Sequence, residues 1–414
     1  MAKSGVEASV REKPLPEIRI SCDRASHRYH VGEKAVFLVD SDIKKLPVKI
    51  VLSLCGEKIL STCEKKLPAK VEYALSEPGF IRCSVYWTKD ESVVKHAGAG
   101  FDPDELKPVI PEPADFDQFW RNALKEQERI PADMKVTEKK PGFFSLSCAT
   151  VNHVRQYGFL YIPPKSAAGS CPLEVCFGGG EANISFQQFK QTVAYANRSR
   201  KTKIAIVWIH LPPYEPVDFN FQLQKRHARF LKDIGGLRRY LLINLDKSPK
   251  DLYFYPAILG GLRLIDYAAT QPEIDPERIA YQGASHGGAF GIYYTALSPH
   301  IKAAFCGVPN FGDIGGVSIG RHTADVPEYK PYWEKLLYFD TAYFAKRIQK
   351  PIMISAGFAD LYCTPGAVYC IRNALRGPVL MFDKVNHGHG DCSPEYSPIV
   401  SAWIDATLNG HVSV

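Results

Sequence analysis

No stretch of this chain comes near the roughly 18 consecutive apolar residues that a membrane-crossing helix needs. The opening MAKSGVEASVREKPLPEIR likewise lacks the apolar centre of an export signal. The chain therefore reads as soluble with no membrane partner. It is expected in the cytoplasm as it stands, and in the periplasm or outside the cell if a signal peptide has been removed. Its eleven cysteines, an odd number, include no Cys-x-x-Cys pair, which argues against a zinc ribbon and against a complete disulfide framework. A reducing compartment fits them best, although Cys22, Cys55, Cys63 and Cys83 all fall in the first hundred residues and could pair if that part were exported. There is no GK[ST] phosphate loop and no GxGxxG fingerprint, so nucleotide chemistry is not expected. Charge of one sign is scarce too: 51 Lys and Arg against 44 Asp and Glu leave +7 over 414 residues, too mild an excess to indicate a nucleic-acid partner.

What the chain does have is ordinary material for a packed protein, with 45% hydrophobic, 12% aromatic and 23% charged residues. Its length exceeds what one core usually serves and implies a larger domain plus a smaller one. Residues 1–16 read as a tail. From 17 to 98 the runs EIRISC, KAVFLVD, VKIVLSL, KVEYAL and FIRCSVYW alternate and are separated by turn-forming clusters, the pattern of a small all-β, immunoglobulin-like sandwich. Residues 99–111, within AGAGFDPDELKPVIPEPADF, read as a linker because glycine and proline crowd there. Asp115 then stands where it can cap a helix carrying Phe116, Phe119, Trp120 and Leu124 on one face.

Across 112–414 strand-like and helix-like segments alternate. YGFLYIP, LEVCFGG, KIAIVWIH, RIAYQGA, KAAFCGVP, PIMISAG and PVLMFDK are strand candidates, several of them the continuous apolar runs of a buried parallel sheet. This predicts a doubly wound, mostly parallel α/β domain.

Gly283-Ala284-Ser285-His286-Gly287 lies directly between a predicted strand and a predicted helix. That is the setting of a nucleophile elbow, where a serine on a sharp turn needs side-chain-free neighbours two positions away on either side. Such a serine needs a base and an acid that orients the base, and in this topology they follow in the order Ser, acid, His. Asp360 follows PIMISAG, and His387 and His389 follow PVLMFDK, so each candidate sits at the carboxyl end of a strand. Asp360 and His387 are the expected partners of Ser285, with His389 a competitor that sequence order equally permits. Asp383 is the alternative acid, and the run His387-Gly388-His389-Gly390-Asp391 is also readable as metal ligands. No second histidine-rich cluster accompanies it, so neither a metal nor a cofactor is expected. Phe177-Gly178-Gly179-Gly180 follows another strand, and the amides of Gly179 and His286 are the expected oxyanion-hole donors.

With these residues in place, the region from about 112 to 410 resembles the acetyl xylan esterase and cephalosporin C deacetylase family of α/β-hydrolases. PADFDQFWRNALKE resembles the family's opening helix, and YPAILGGLRLIDYAATQPEIDPERIAYQGASHGG its approach to the nucleophile. Asp360-Leu361-Tyr362-Cys363-Thr364-Pro365 is similar to its acid loop, and its terminal Asn-His-Glu run aligns on His387. His286 stands where the family has Gln, Gly179 where it has Tyr, and IHLPPYEPVDFNF replaces its Arg-Gly-Gln motif. The resemblance implies an α/β-hydrolase fold preceded by an added sandwich. It also implies a serine esterase removing acetyl groups from small acetylated saccharides such as xylo-oligosaccharides, and a homo-oligomer. A prolyl-oligopeptidase-like peptidase and a non-catalytic carbohydrate-binding relative are the alternatives. Tyr214, Phe219, Phe221, Phe311 and Trp333 are candidate pocket walls. For the N-terminal part, a structural or lid-forming role is preferred over carbohydrate binding.

Overall fold

Alternation along the first hundred residues gives each strand one face for a core, and two sheets use it. In the computed structural model of the chain, the described residues are 17–55, 58–87, 93–178, 184–198, 200, 202–210, 215–216, 225, 229, 232, 243–321, 327–389 and 396–410. The strands of the N-terminal unit are β1 (Ile18–Cys22), β2 (Arg28–Tyr29), β3 (Ala35–Ser41), β4 (Pro47–Leu54), β5 (Lys58–Lys66), β6 (Ala69–Tyr73), β7 (Gly79–Trp87) and β8 (Val93–Phe101). One sheet has the order β1-β3-β6 and the other β2-β8-β7-β4-β5. Phe37, Val39, Ile50, Leu52, Ile81, Val85, Ala97 and Ala99 belong to the buried cluster of this unit.

The expected boundary at 98 cuts through a strand. β8 continues to Phe101, and the alanine-glycine run read as linker is paired with β7 along its whole length. The rest of the expected linker is also tied down: Val109 N donates to Asp313 Oδ1 at 2.7 Å, and the Tyr343 hydroxyl donates to Ile110 O at 2.8 Å.

The larger domain opens with α1 (Phe116–Arg129), which buries Phe116, Trp120 and Ala123; Asp115 stands at its N-cap position, but its side chain makes no capping hydrogen bond and accepts from the Tyr338 hydroxyl at 2.8 Å instead. Next come β9 (Lys135–Lys140), β10 (Phe143–Ala149), β11 (Arg155–Tyr161), β12 (Cys171–Phe177), α2 (Phe186–Asn197), β13 (Ala205–Ile209), α3 (Phe254–Ala269), β14 (Ile274–Ala284), α4 (His286–Leu297) and β15 (Ala303–Gly307). The chain finishes with β16 (Ile352–Gly357), α5 (Pro365–Ala374), β17 (Val379–Lys384) and α6 (Tyr396–Leu408). A nine-stranded sheet has the order β17-β16-β15-β14-β12-β13-β11-β10-β9. Its strands from β12 to β17 run parallel, while β11, β10 and β9 continue it antiparallel.

All seven expected strands of this domain are present, with Val175, Val207, Ile279, Ala304 and Ile354 fully buried. β9 and β10 were not foreseen; KVTEKK of β9 is charged and exposed throughout, whereas FFSLSCA of β10 does alternate apolar and polar residues. Parallel pairing brings the carboxyl ends of β14, β15, β16 and β17 to one edge, which is where a site is expected in such a sheet. Among the described residues no helix is long and apolar enough to cross a membrane, and ten cysteines are free.

Candidate active site

β14 ends at Ala284 and α4 begins at His286, so Ser285 alone makes the turn, with φ 59° and ψ −121°. Those angles match the first central position of a type II′ turn, which favours glycine, and holding a serine there costs on the order of 1–3 kcal/mol. The surroundings enforce the strain. Ser285 N donates to Gly307 O at 2.9 Å, and its carbonyl accepts from Ala289 N at 3.0 Å and Asn310 N at 3.3 Å. Side chains two positions away would not fit: a Cβ at Gly283 would lie 2.7 Å from Gly287 O, and one at Gly287 would lie 2.6 Å from Phe177 O. The glycine spacing therefore has the steric cause that the sequence implied.

Asp360 is buried at the end of β16, where Oδ1 accepts from Tyr362 N at 2.8 Å and Cys363 N at 3.0 Å. It is thus a turn-forming Asx residue as well as an acid. Its second oxygen, Oδ2, faces His389 Nδ1 at 2.9 Å. A carboxylate only accepts, so the proton of this bond sits on Nδ1 and the imidazole keeps Nε2 as its basic nitrogen. Cys363 joins the pair to the serine: its Sγ is 3.9 Å from Ser285 Oγ and lies within 4.8 Å of the facing atoms of Asp360 and His389. That spacing is also one a metal ion would accept.

The expected histidine, His387, is not the one that meets Asp360. Its carbonyl accepts from Ala359 N at 3.0 Å, its ring lies edge-on to Tyr396 at 6.4 Å, and its Nδ1 finds no hydrogen-bond partner among the described residues. His387 and His389 are both placed after β17, so order along the chain could not separate them. Asp383 is engaged elsewhere, accepting from the Tyr369 hydroxyl at 2.6 Å and facing Arg28 at 3.6 Å, while burial raises its carboxyl pKa.

His286 begins α4, so its backbone amide lies at the positive end of the helix beside Ser285. Its ring points away into the core, edge-on to Phe311 at 4.9 Å and stacked near Phe254 at 6.3 Å. Phe311 is buried in that contact, and Trp333 is partly buried against the main core. Gly179, Tyr214, Phe219, Phe221 and Asp391 lie outside the described residues. Gly178 O would lie 3.1 Å from a Cβ on Gly287, so the strand leading to Gly179 passes directly beside the elbow.

Residues 104–392 match the acetyl xylan esterase (AXE1) family, which is well over half of the chain. The chain belongs to the acetyl xylan esterase family. It is a carboxylic ester hydrolase, and Ser285, Asp360 and His389 all fall inside the matched region. Among curated proteins, acetyl esterase Axe7A of Xylanibacter ruminicola is 26% identical over 381 residues, covering 86% of this chain and 83% of that protein. Residues 104–414 make up only about three quarters of the chain. The match to Axe7A therefore reaches back into the N-terminal unit, which is not an addition peculiar to this acetyl xylan esterase family member.

Two solved structures share the fold. The acetyl xylan esterase from Paenibacillus sp. R4 aligns with TM-score 0.60 and 19% identity over 73% of this chain and 98% of its own. Acetyl xylan esterase 1 from Thermoanaerobacterium sp. JW/SL YS485 aligns with TM-score 0.59 and 18% identity over 74% and 97%.

Proposed function

We propose that this family member is a serine acetylesterase acting on small acetylated saccharides, with Ser285 as nucleophile, His389 as base and Asp360 as the group that orients the base. The observation that carries the reading is the Asp360–His389 hydrogen bond beside a strained serine at a strand-to-helix turn. His389 Nε2 takes the Ser285 proton as Oγ attacks the ester carbonyl. Asp360 holds the Nδ1 tautomer and stabilises the imidazolium. The amides of His286 and Gly179 receive the oxyanion, aided by the positive end of α4. The alcohol leaves with the proton from His389, and water then releases acetate from the acyl-enzyme by the same steps in reverse roles.

The saccharide alcohol is supported by the names of the relatives and by Tyr362, an aromatic ring 48% exposed and 5.2 Å from the His389 ring. We read the N-terminal unit as immunoglobulin-like, since its strands divide as 1-3-6 against 2-8-7-4-5. Two sheets do not make the propeller of a prolyl-oligopeptidase-like enzyme, and nothing observed favours a peptidase. The test is hydrolysis of 4-nitrophenyl acetate and of acetylated xylo-oligosaccharides by wild type and Ser285→Ala. Loss of both activities is expected, and retention of near wild-type turnover overturns the assignment.

A further inference from the structure

Three different kinds of metal-binding side chain meet beside the strained serine. A carboxylate oxygen of Asp360, Cys363 Sγ and a ring nitrogen of His389 all lie within 4.8 Å of one another. Two ligands held about 2.0–2.3 Å from a tetrahedral ion stand about 3.3–3.8 Å apart, so these atoms can close on one ion by side-chain movements of about an ångström. Asp360 and Cys363 are buried, while the His389 ring is partly exposed and gives an ion a path to them.

The cluster is held in place before any ion arrives. Asp360 Oδ1 accepts from Tyr362 N and Cys363 N, which fixes the carboxylate and sets Cys363 beside it, so one turn supplies two ligands. The third comes from the loop after β17, and the N-terminal unit ties the two loops together. Gly98 of β8 donates its N–H to Val385 O at 3.0 Å, and its carbonyl accepts from His27 Nδ1 at 2.8 Å. A Cβ on Gly98 would collide with the carbonyl oxygen of Phe358, whose ring packs edge-on against Phe80 of β7 at 4.9 Å. Phe358 N in turn donates to Lys384 O, and Ala359 N to His387 O, both at 3.0 Å. Ligands that are already positioned lose little freedom on binding.

The donor set selects the ion. One thiolate, one imidazole and one carboxylate suit zinc and similar thiophilic divalent ions, whereas magnesium and calcium need more oxygen ligands than this cluster offers. It is also a different set from the histidine-glycine-histidine run, because the His387 ring faces Tyr396.

We propose that Asp360, Cys363 and His389 form an inhibitory site for a zinc-class divalent cation, which switches the esterase off while it is occupied. The proposal rests on the triad reading above, since the ion acts by taking the base. A neutral imidazole carries one proton. An ion bound through Nδ1 puts that proton on Nε2, so the nitrogen that should accept the serine proton becomes a donor. The Cys363 thiol releases its proton to solvent, and its thiolate and the Asp360 carboxylate neutralise the two charges of the ion. Nothing is oxidised or reduced. Chelation of the ion returns the proton to sulfur and restores the working tautomer.

The test uses the full chain, freed of metal by dialysis against EDTA, and 4-nitrophenyl acetate in buffers of fixed free zinc. Support is a roughly tenfold or greater loss of wild-type rate at micromolar zinc, recovery on adding EDTA, and no loss in millimolar magnesium. Cys363→Ser, measured against its own metal-free rate, should need at least about tenfold more zinc for half inhibition. Cobalt gives a readout without turnover: a sulfur-to-cobalt charge-transfer absorption is expected with wild type and with Ser285→Ala, and not with Cys363→Ser. A wild type indifferent to zinc overturns the proposal, as does the same zinc midpoint in Cys363→Ser. A cobalt signal without inhibition overturns it equally, because the ion then leaves the base at work. If Cys363→Ser does not fold, Cys363→Ala gives the same comparison. Failure of the triad reading shows separately, as metal-free turnover retained by His389→Ala.

Discussion

His389 Nδ1 donates to Asp360 Oδ2 at 2.9 Å, whereas His387, two residues earlier, meets the same loop through its backbone carbonyl. The two side chains should therefore respond differently to replacement. His389→Ala is expected to lower kcat on an acetyl ester roughly a thousandfold or more, and His387→Gln to stay within a few-fold of wild type. Steady-state kinetics on the two variants checks this, and the reverse order of effects would return the base to His387.

The turn at Ser285 makes a second prediction, about stability. With φ 59° and ψ −121°, glycine is the unstrained occupant, so Ser285→Gly should be inactive yet more stable by about 1 kcal/mol. Urea denaturation midpoints of wild type, Ser285→Ala and Ser285→Gly would show it, with the gain present only for glycine.

Tyr362 separates the ester from the alcohol it is attached to. Its exposed ring lies 5.2 Å from the His389 ring, where a sugar leaving group could stack, while a nitrophenyl ester needs no such platform. Tyr362→Ala is expected to raise KM several-fold for an acetylated xylo-oligosaccharide and to leave 4-nitrophenyl acetate within about twofold. Equal KM changes on both substrates would remove the ring from saccharide binding.

Acid should loosen the junction between the two units. Burial holds the His27 imidazole pKa below its ordinary 6.5, while its Nδ1 donates to Gly98 O. A histidine with a folded-state pKa below its unfolded value contributes stability at higher pH, and this contribution is lost as pH falls below about 6.5. The slope from one such group is at most about 1.4 kcal/mol per pH unit. Thermal unfolding at pH 5 and pH 7 should show a smaller difference for His27→Gln, which has no proton to gain. An unchanged difference would place the acid sensitivity elsewhere.

Gly98→Ala tests the close approach itself. The collision with the Phe358 carbonyl is with backbone, which cannot swing aside, so a loss of about 3 kcal/mol is expected. A folded Gly98→Ala chain with wild-type stability, read by urea denaturation, would show that the junction can relax.

The parts of the molecule legible in the sequence were those governed by local rules. β12, β13, β15 and β16 are buried almost throughout and so read as apolar runs, and the elbow is a steric requirement written into Gly283 and Gly287. Asp360 was legible because it directly follows an apolar strand at the carboxyl edge of the sheet. What failed depends on distant contacts. Gly98 and Gly100 carry the composition of a turn, but they sit in a strand because Phe358 and the Phe80 ring occupy the space where their side chains would be. His387 and His389 satisfy the same order along the chain, and only the path of the loop after β17 decides which ring reaches Asp360.

The fit of Gly98 against Phe358 bears on how such a chain can be inherited. A β-domain borrowed from another protein would bring a side chain at that register and be turned away by the backbone of its new neighbour. The two units of this esterase are therefore fitted to one another at that register. A change at Gly98 in the N-terminal unit has to be matched by a change in the path of the loop that carries Phe358.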